Sequence, residues 1–357
     1  MLRVAVNNLS VNQVLWRITG AQRKKMGKTP TIYDVSRIAG VSTTTISRVL
    51  NKPEMVNPNT RQLVERTIQA LGYKPLVEAR LRNSSGVTRI CVCAPRFTDS
   101  SFVHRLRGVT TALEGDPNYE LQVFSVGSRV QFDRFLNSLP IRGLDGLILL
   151  SIPIEPAQVE KILSNAVQAT FVEFYSNAAN CIVIDDVAGG KLAGNLLRES
   201  GRRKFGVVGE WTQFDYSVYP NEKRRRGYLE ALNEYGYRVD PRYDYDVPCK
   251  VYSAYDRFLD VFKSGDFPEA IFALSDDQAI GICRAARECG VRIPDDLAIV
   301  GFDDIELSEY FGLTTIRQHL GHSGGLAVEL LKKKLSAPET VPQIVNLPLE
   351  LIVRTTT

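Results

Sequence analysis

Apolar residues recur at i, i+3 and i+4 in two short runs near the N-terminus, a spacing that is typical of amphipathic helices. The two runs are Val35, Ile38 and Ala39, then Ile46, Val49 and Leu50. Gly40 lies between the runs, and an isolated glycine there favours a helix end followed by a tight turn. Two short helices joined at a glycine predict a helix-turn-helix unit.

A third helix is predicted to follow. Asn57 is a preferred N-cap residue, and Pro58 is favoured at the first helical position. Apolar residues continue with helical spacing until Gly72, where we expect the helix to end. Three short helices predict a small all-α helix-turn-helix domain, which we assign to residues 30–75.

The period changes after Val87, where short β-type runs alternate with segments of helix length. The runs are residues 89–94, 121–126, 146–150, 169–173, 181–184, 205–208, 270–274 and 298–302. Strands separated by helices predict parallel sheets built from βαβ units. This α/β part of the chain is long enough for two lobes.

The charge of the chain is unevenly distributed. The 357 residues are 44% hydrophobic and 24% charged, and the formal net charge is only +4. Between residues 31 and 82, however, eight Lys and Arg side chains stand against four Asp and Glu. Such a local excess of positive charge is typical of a unit that binds nucleic acid.

Several function classes lack support in the sequence. The six cysteines include no Cys-x-x-Cys pair, and no continuous apolar segment suggests a signal peptide or a membrane span, so we expect a cytoplasmic protein. There is no P-loop and no G-x-G-x-x-G motif after a strand. His319 and His322 form only an isolated His-x-x-His. We therefore expect no enzyme, no metal site and no cofactor.

Residues 1–29 show no clean period and end in a basic cluster. We interpret them as a disordered, solvated extension, and a phosphate-contacting arm is the alternative. Met26 offers a third interpretation, in which it is the real initiator and the residues upstream are not part of the protein.

The polar face of the second predicted helix carries small hydroxyls and one guanidinium, which suit the DNA major groove. These residues are Thr43, Thr44, Ser47 and Arg48. Ser42 precedes the helix and is expected to cap it, so that the first backbone amides point toward a phosphate. A helical hairpin without a DNA role is the alternative.

The segment 31–51, continued by Gly72-Tyr73-Lys74-Pro75, resembles the headpiece of the LacI/GalR family of bacterial repressors. The resemblance implies that Thr43, Thr44 and Arg48 read base edges. It implies contacts along the DNA backbone, or support of docking, for Thr31, Tyr33, Ser42, Thr45 and Asn51.

Residues 76–86 form the hinge that the resemblance implies, with DNA contacts from Ala79, Leu81 and Arg82. The hinge departs from the family pattern, because the position of the leucine that wedges into the minor groove is Arg82, and the leucine is Leu81. Either the hinge helix is shifted in register, or its wedge is weaker and Arg82 contacts the narrow groove electrostatically.

The resemblance extends over residues 87–357, with markers such as Gly301-Phe302-Asp303-Asp304. It implies an effector-binding and dimerisation domain with the type I periplasmic-binding-protein-like fold, two α/β lobes joined by three crossovers. We expect the N-lobe at about 87–186 and 317–340, and the C-lobe at about 187–316 and 341–357.

A sugar site needs planar donors, carboxylate acceptors and an aromatic face. By resemblance, Arg224 clamps the ligand with Asp303 as its partner, and Phe102, Ser275 and Asp276 are further candidates. The alternatives are a solvated helix charge for Arg224 and a helix-capping acid for Asp303. Asp186 replaces a common asparagine of the family, and we expect no chemistry from it.

The sequence thus predicts a homodimeric regulator, a repressor in the simplest case, that binds pseudo-palindromic operator DNA and is controlled by a small-molecule effector such as a carbohydrate. A solute-binding receptor for transport and a doubly wound α/β enzyme are the alternatives. The headpiece argues against the first, and the missing acid, base and nucleophile constellation argues against the second.

Overall fold

The computed structural model describes residues 32–51, 56–71 and 86–357, which form two compact units divided after Gly86. Several sequence predictions lie outside the described residues. These are the extension 1–29, Thr31, and the hinge residues Ala79, Leu81 and Arg82. The side chains of Ser47 and Asn51 are also outside the description.

The first unit is the helix-turn-helix domain. Its helices are α1 (Ile32–Ala39), α2 (Thr43–Asn51) and α3 (Pro58–Leu71). The apolar positions of the three helices meet in one small core, formed by Val35, Ala39, Ile46, Val49 and Val64. Gly40 has a φ of +69°, a conformation that favours glycine, and this lets the chain turn sharply between α1 and α2.

Both predicted helix starts carry side-chain caps. The hydroxyl of Ser42 accepts a hydrogen bond from the backbone N–H of Thr45 at 3.1 Å. The side-chain oxygen of Asn57 accepts one from the backbone N–H of Asn59 at 2.9 Å. Each cap satisfies an amide that the first helical turn leaves without a partner.

The second unit contains two sheets and the helices that cover them. Its strands are β1 (Thr88–Pro95), β2 (Tyr119–Val126), β3 (Gly146–Leu150), β4 (Gln168–Val172), β5 (Asn180–Val183), β6 (Phe205–Gly209), β7 (Asp244–Asp246), β8 (Ala270–Ala273), β9 (Ala298–Asp303), β10 (Thr314–Arg317), β11 (Ile344–Asn346) and β12 (Glu350–Ile352). Its helices are α4 (Ser100–Leu113), α5 (Arg129–Asn137), α6 (Leu139–Arg142), α7 (Pro156–Ser164), α8 (Asp186–Glu199), α9 (Asn221–Asn233), α10 (Val251–Ser264), α11 (Asp276–Cys289), α12 (Glu306–Tyr310) and α13 (Leu320–Ser336).

Each sheet has six strands and forms the centre of one lobe. The first-lobe order is β11-β5-β4-β3-β1-β2, with all pairs parallel, and the second-lobe order is β12-β10-β9-β8-β6-β7, with only β10 and β12 antiparallel. Strands such as β3 are buried along their whole length, as expected when helices cover both faces of a sheet. The predicted two-lobed α/β architecture is confirmed.

The chain passes between the lobes three times, after β5, after β10 and after β11. The third crossover lies later than the sequence predicted. Because β11 pairs with β5, residues 341–346 belong to the first lobe, and assigning them to the C-lobe was wrong. β11 has only three residues and no buried side chain, so it has no hydrophobic run that could reveal it.

Helices α8 and α9 approach each other at two glycines. A Cβ atom on Gly190 would lie 2.0 Å from the carbonyl oxygen of Arg224, and one on Gly227 would lie 2.0 Å from that of Val187. Real atoms cannot approach so closely, so only glycine permits this backbone contact. The contact fixes the position of α9, and with it Arg224, against the start of α8.

Gly227→Ala is expected to lower the free energy of unfolding by about 1 to 3 kcal/mol, because the two helices must move apart. Urea denaturation measures the change. Gly325→Ala is a matched control, since its Cβ would have only ordinary contacts, the nearest at 3.6 Å. The control is expected to be neutral or slightly stabilising, and an equal loss in both variants would contradict the close-packing explanation.

Candidate functional sites

The polar side of α2 is accessible on the surface of the first unit. Thr44 and Arg48 are exposed, and Thr43 and Thr45 are half-buried. On α1, Tyr33 is 66% exposed, and this fraction is far larger than that of a tyrosine whose only role is packing in the core. The apolar residues of α2 face inward, so hydroxyls and a guanidinium remain on its outer side.

A cleft lies between the two lobes, where the carboxyl ends of the parallel strands meet. Arg96, Ser151 and Glu173 follow β1, β3 and β4 directly, and Asp303 ends β9. All four line the cleft and have positive φ angles of 52°, 53°, 64° and 125°. Non-glycine residues rarely adopt this conformation, which costs about 1 to 3 kcal/mol per residue. The strand ends are therefore strained in a way that directs polar side chains into the cleft.

Arg224 is the most heavily buried cation of the second-lobe wall, with only 4% of its surface exposed. Its Nε donates to Oδ1 of Asp186 at 2.9 Å, and its Nη1 donates to the carbonyl oxygen of Leu274 at 2.8 Å. The guanidinium carbon lies 3.6 Å from the centre of the Phe302 ring, and Nη1 lies 3.7 Å from Oδ1 of Asp303. Arg224 is therefore not a solvated helix charge.

The first-lobe wall has its own buried arginine on α4. Arg105 donates to Glu173 and, at 2.9 Å, to the side-chain oxygen of Gln318. Ser151 donates to the other carboxylate oxygen of Glu173, and Gln318 donates to Asp303. One connected network thus runs from the first-lobe carboxylate to the second-lobe carboxylate through Gln318.

The two carboxylates have opposite electrostatic environments. Burial raises the pKa of Asp303 to about 8; the charge of Arg224 opposes this shift and that of Asp276 adds to it. Burial also acts to raise the pKa of Glu173, but Arg105 and the Ser151 hydroxyl outweigh it, so that this pKa is lowered. Glu173 is a permanent acceptor, whereas Asp303 can donate or accept depending on its protonation.

Polar contacts also cross the mouth of the cleft. Arg96 donates to Glu210 at 2.8 Å, Ser100 donates to Asp277 at 2.9 Å, and Lys250 pairs with Asp99. Each joins a first-lobe residue to a second-lobe residue. These contacts leave a cavity of only about 60 Å³.

The structure places most of the predicted effector residues together. Phe102, Arg224, Ser275 and Asp303 all line the cleft, and Asp276 does not.

The prediction that Asp276 contacts the effector was wrong, because its carboxylate points into the interior of the second lobe and not into the cleft. It accepts hydrogen bonds from the hydroxyls of Ser308 and Thr315, both at 2.6 Å, and from the backbone N–H of Ile305 at 3.0 Å. The neighbouring Asp277 lines the cleft instead.

Comparisons with known proteins agree with this architecture. Residues 31–75 match the model of bacterial regulatory proteins of the lacI family, and residues 195–357 match the periplasmic binding protein-like domain. The chain is therefore similar to lacI-family proteins in its first unit and to a periplasmic binding protein-like domain over much of its second unit.

Relatives of known function align over most of this chain. Catabolite control protein A of Priestia megaterium is 29% identical over 89% of this chain and 96% of its own, and the ribose operon repressor of Haemophilus influenzae is 29% identical over 86% and 92%. The lac repressor bound to ONPG in its repressed state superposes with a TM-score of 0.64 at 25% identity, covering 92% of this chain and all of the other.

Sequence reasoning missed five residues of the network, namely Arg105, Ser151, Glu173, Asp186 and Gln318. Glu173 ends a predicted strand, and the rule that ligands bind at strand carboxyl ends could have identified it. Asp186 was dismissed as a departure from the family pattern, although it forms the shortest ion pair of Arg224. Nothing in the local sequence marks Arg105 or Gln318.

The segment Gly321-His322-Ser323-Gly324-Gly325 has the G-x-S-x-G spacing of a hydrolase nucleophile elbow. It lies within α13, and not on a strand-to-helix turn. Ser323 is buried and donates to the carbonyl oxygen of Leu320 at 2.7 Å. Gly324 instead permits close packing, since a Cβ there would lie 2.0 Å from the carbonyl oxygen of Arg105.

Two further classes of site are absent from the part of the chain that the structure describes. Within it, no group of three or more His, Cys, Asp or Glu side chains is arranged to hold a metal ion. No helix in these same ranges combines the length and apolar character needed to span a bilayer.

The raised pKa of Asp303 predicts a pH dependence of stability. A carboxyl whose pKa is higher in the folded than in the unfolded protein stabilises the fold below the unfolded pKa, and this stabilisation is lost as the pH rises through the folded pKa. We therefore expect the free energy of unfolding to fall between about pH 4 and pH 8, and Asp303→Asn to reduce that fall by about 1 kcal/mol or more.

Urea denaturation across this pH range measures the effect. Asp260→Asn, on the exposed side of α10, is the control and should keep the full pH dependence. An unchanged pH dependence in Asp303→Asn would show that this carboxyl is ionised throughout.

Proposed function

We propose that this protein is a transcriptional repressor that binds operator DNA through α2 and is controlled by a carbohydrate bound between its lobes. The observation that carries the proposal is the presence, in one chain, of a lacI-family helix-turn-helix and a polar cleft built from both lobes of a receptor. The ribose operon repressor among its relatives supports both halves of the proposal. We place it in the cytoplasm, with no enzymatic activity, since its relatives are regulators.

In the DNA-binding part of the proposal, Thr43, Thr44 and Arg48 contact the bases. Thr45 and Tyr33 would contact the DNA backbone, as would Ser42, whose cap orients the first amides of α2. DNA contacts of Thr31, Asn51 and the hinge residues 79, 81 and 82 rest on the family resemblance, and that of Ser47 rests on its position on the polar helix face that the sequence predicts. A homodimer would place two such helices on a pseudo-palindromic operator.

The effector half follows from the chemistry of the cleft. Arg105 and Arg224 offer planar donors, Glu173 and Asp303 offer acceptors, and Phe102 offers an apolar face, which together suit a polyhydroxylated ring. A cavity of about 60 Å³ is far smaller than the roughly 300 to 1,000 Å³ of small-molecule sites, so the lobes must separate for a sugar to enter. Binding and lobe movement are thereby coupled.

Arg48→Ala is expected to weaken binding to the preferred operator by about 1 to 3 kcal/mol. It should also relax the preference at one symmetric G·C position in each half-site, because a guanidinium can donate two hydrogen bonds to guanine. Thr43→Ala and Thr44→Ala should each cost less, since a threonine makes a smaller contact. Binding-site selection with the three variants at one salt concentration measures both effects.

Arg37→Ala is a matched control, because Arg37 is exposed on α1 and pairs with Asp34 at 3.0 Å. It should leave base preference unchanged. If Arg48→Ala weakens all sequences equally and makes the salt dependence shallower, Arg48 contacts a phosphate and the assignment is wrong.

Arg224→Ala should abolish the effect of sugars on operator binding while leaving the sugar-free affinity intact, because Arg224 lies in the receptor unit. Arg224→Lys is the second variant, since it keeps the buried charge and loses the planar fork. Thermal-shift screening against a sugar panel, with operator binding as the test of folding, measures the response. Retained sugar binding in both variants would exclude Arg224 as a ligand contact.

A further inference from the structure

A second cavity, much wider than the cleft, lies on the second lobe between α9 and β7. Its volume is about 570 Å³, which is within the range of small-molecule sites. It is lined by residues after β6, by the outward side of α9 and by the start of β7. None of the sites described above uses it.

Trp211 provides the aromatic wall of this cavity. Its ring packs against Gly209, where an added Cβ would lie 2.6 Å from Cη2, and its backbone N–H donates to Asp246 at 2.9 Å. The guanidinium of Arg225 lies 5.4 Å from the ring centre. These contacts hold the indole in place, and Trp211 as a whole remains half-buried.

Polar groups surround the indole. Arg225 Nε donates to Oδ2 of Asp244 at 3.0 Å, while Oδ1 of Asp244 has no hydrogen-bond partner among the described residues. Gln213 and Glu222 add an amide and a carboxylate to the lining. A flat aromatic surface beside several acceptors and donors is the arrangement that binds the apolar face and the hydroxyls of a sugar ring.

The cavity adjoins the cleft and shares two lining residues with it. Tyr219 and Asn221 line both, and Asn221 donates to the backbone carbonyl of Glu210 at 3.1 Å. Glu210 is also the residue that Arg96 reaches from the first lobe. A ligand that fills the cleft and extends past Tyr219 would therefore arrive at Trp211.

We propose that this cavity is an outer carbohydrate subsite, and that the effector is a disaccharide whose inner ring binds in the cleft and whose outer ring stacks on Trp211. The inference rests on the proposed sugar-binding function and specifies the class of sugar. A ligand of two linked rings can contact both cavities at once.

The test compares monosaccharides with disaccharides that contain them: glucose with cellobiose and maltose, galactose with lactose, and fructose with sucrose. Isothermal titration calorimetry on the full chain should find a disaccharide that binds about tenfold or more tighter than its component ring. Trp211→Ala should remove this advantage and change monosaccharide affinity less than about twofold, and Trp211→Phe should restore part of it.

Tyr235→Ala is the matched control, because Tyr235 is an exposed aromatic of the same lobe that does not line the cavity. Trp16→Phe leaves Trp211 as the single tryptophan, and its fluorescence should change with the disaccharide and not with the monosaccharide.

The failures are distinguishable. If monosaccharides bind as tightly as disaccharides, or if Trp211→Ala weakens both equally, the outer subsite is overturned and the sugar-binding cleft stands. If no sugar of the panel binds, the proposed carbohydrate effector fails, and the subsite fails with it.

Discussion

The burial of one charge, the guanidinium of Arg224, constrains the rest of the receptor. An unpaired buried cation costs several kcal/mol, so the surroundings must compensate it. Asp186, the carbonyl of Leu274 and the ring of Phe302 do so from three different elements of the second lobe. This convergence requires α8 and α9 to touch at Gly190 and Gly227, so the chemistry of the cleft depends on helix packing that no polar residue reveals.

Strain at the strand ends complements this packing. Parallel strands deliver their carboxyl ends to a common edge, but an ordinary extended residue would continue the strand instead of turning its side chain into the cleft. The positive φ angles of Arg96, Ser151, Glu173 and Asp303 accomplish that turn. Because the surrounding sheets and hydrogen bonds hold these conformations, the polar groups are positioned before any ligand arrives.

Sequence reasoning succeeded where neighbouring residues in the chain carry the structural pattern. The helix-turn-helix follows from its apolar spacing and caps, and eight of the strands follow from their β-type runs. It failed for β7, β11 and β12, which have three residues each, and for β10, which has four. It also failed for Asp276, because sequence does not tell which of two adjacent aspartates faces a cavity. Arg105 and Gln318 are 213 positions apart, and only the tertiary fold brings them together.

The partners of the charged groups indicate which of them can transmit a signal. A ligand shifts a conformational equilibrium only by its difference in affinity for the two states. The partners of Arg224 all belong to the second lobe, so they stay in place when the lobes move, and Arg224 contributes similarly to ligand affinity in both states. Arg96 and Asp277 instead hold partners on the opposite lobe. Such partly exposed contacts are worth about 0 to 1 kcal/mol each, so a sugar with a few hydrogen bonds across the cleft can replace them. Affinity and regulation therefore reside in different residues of the same site.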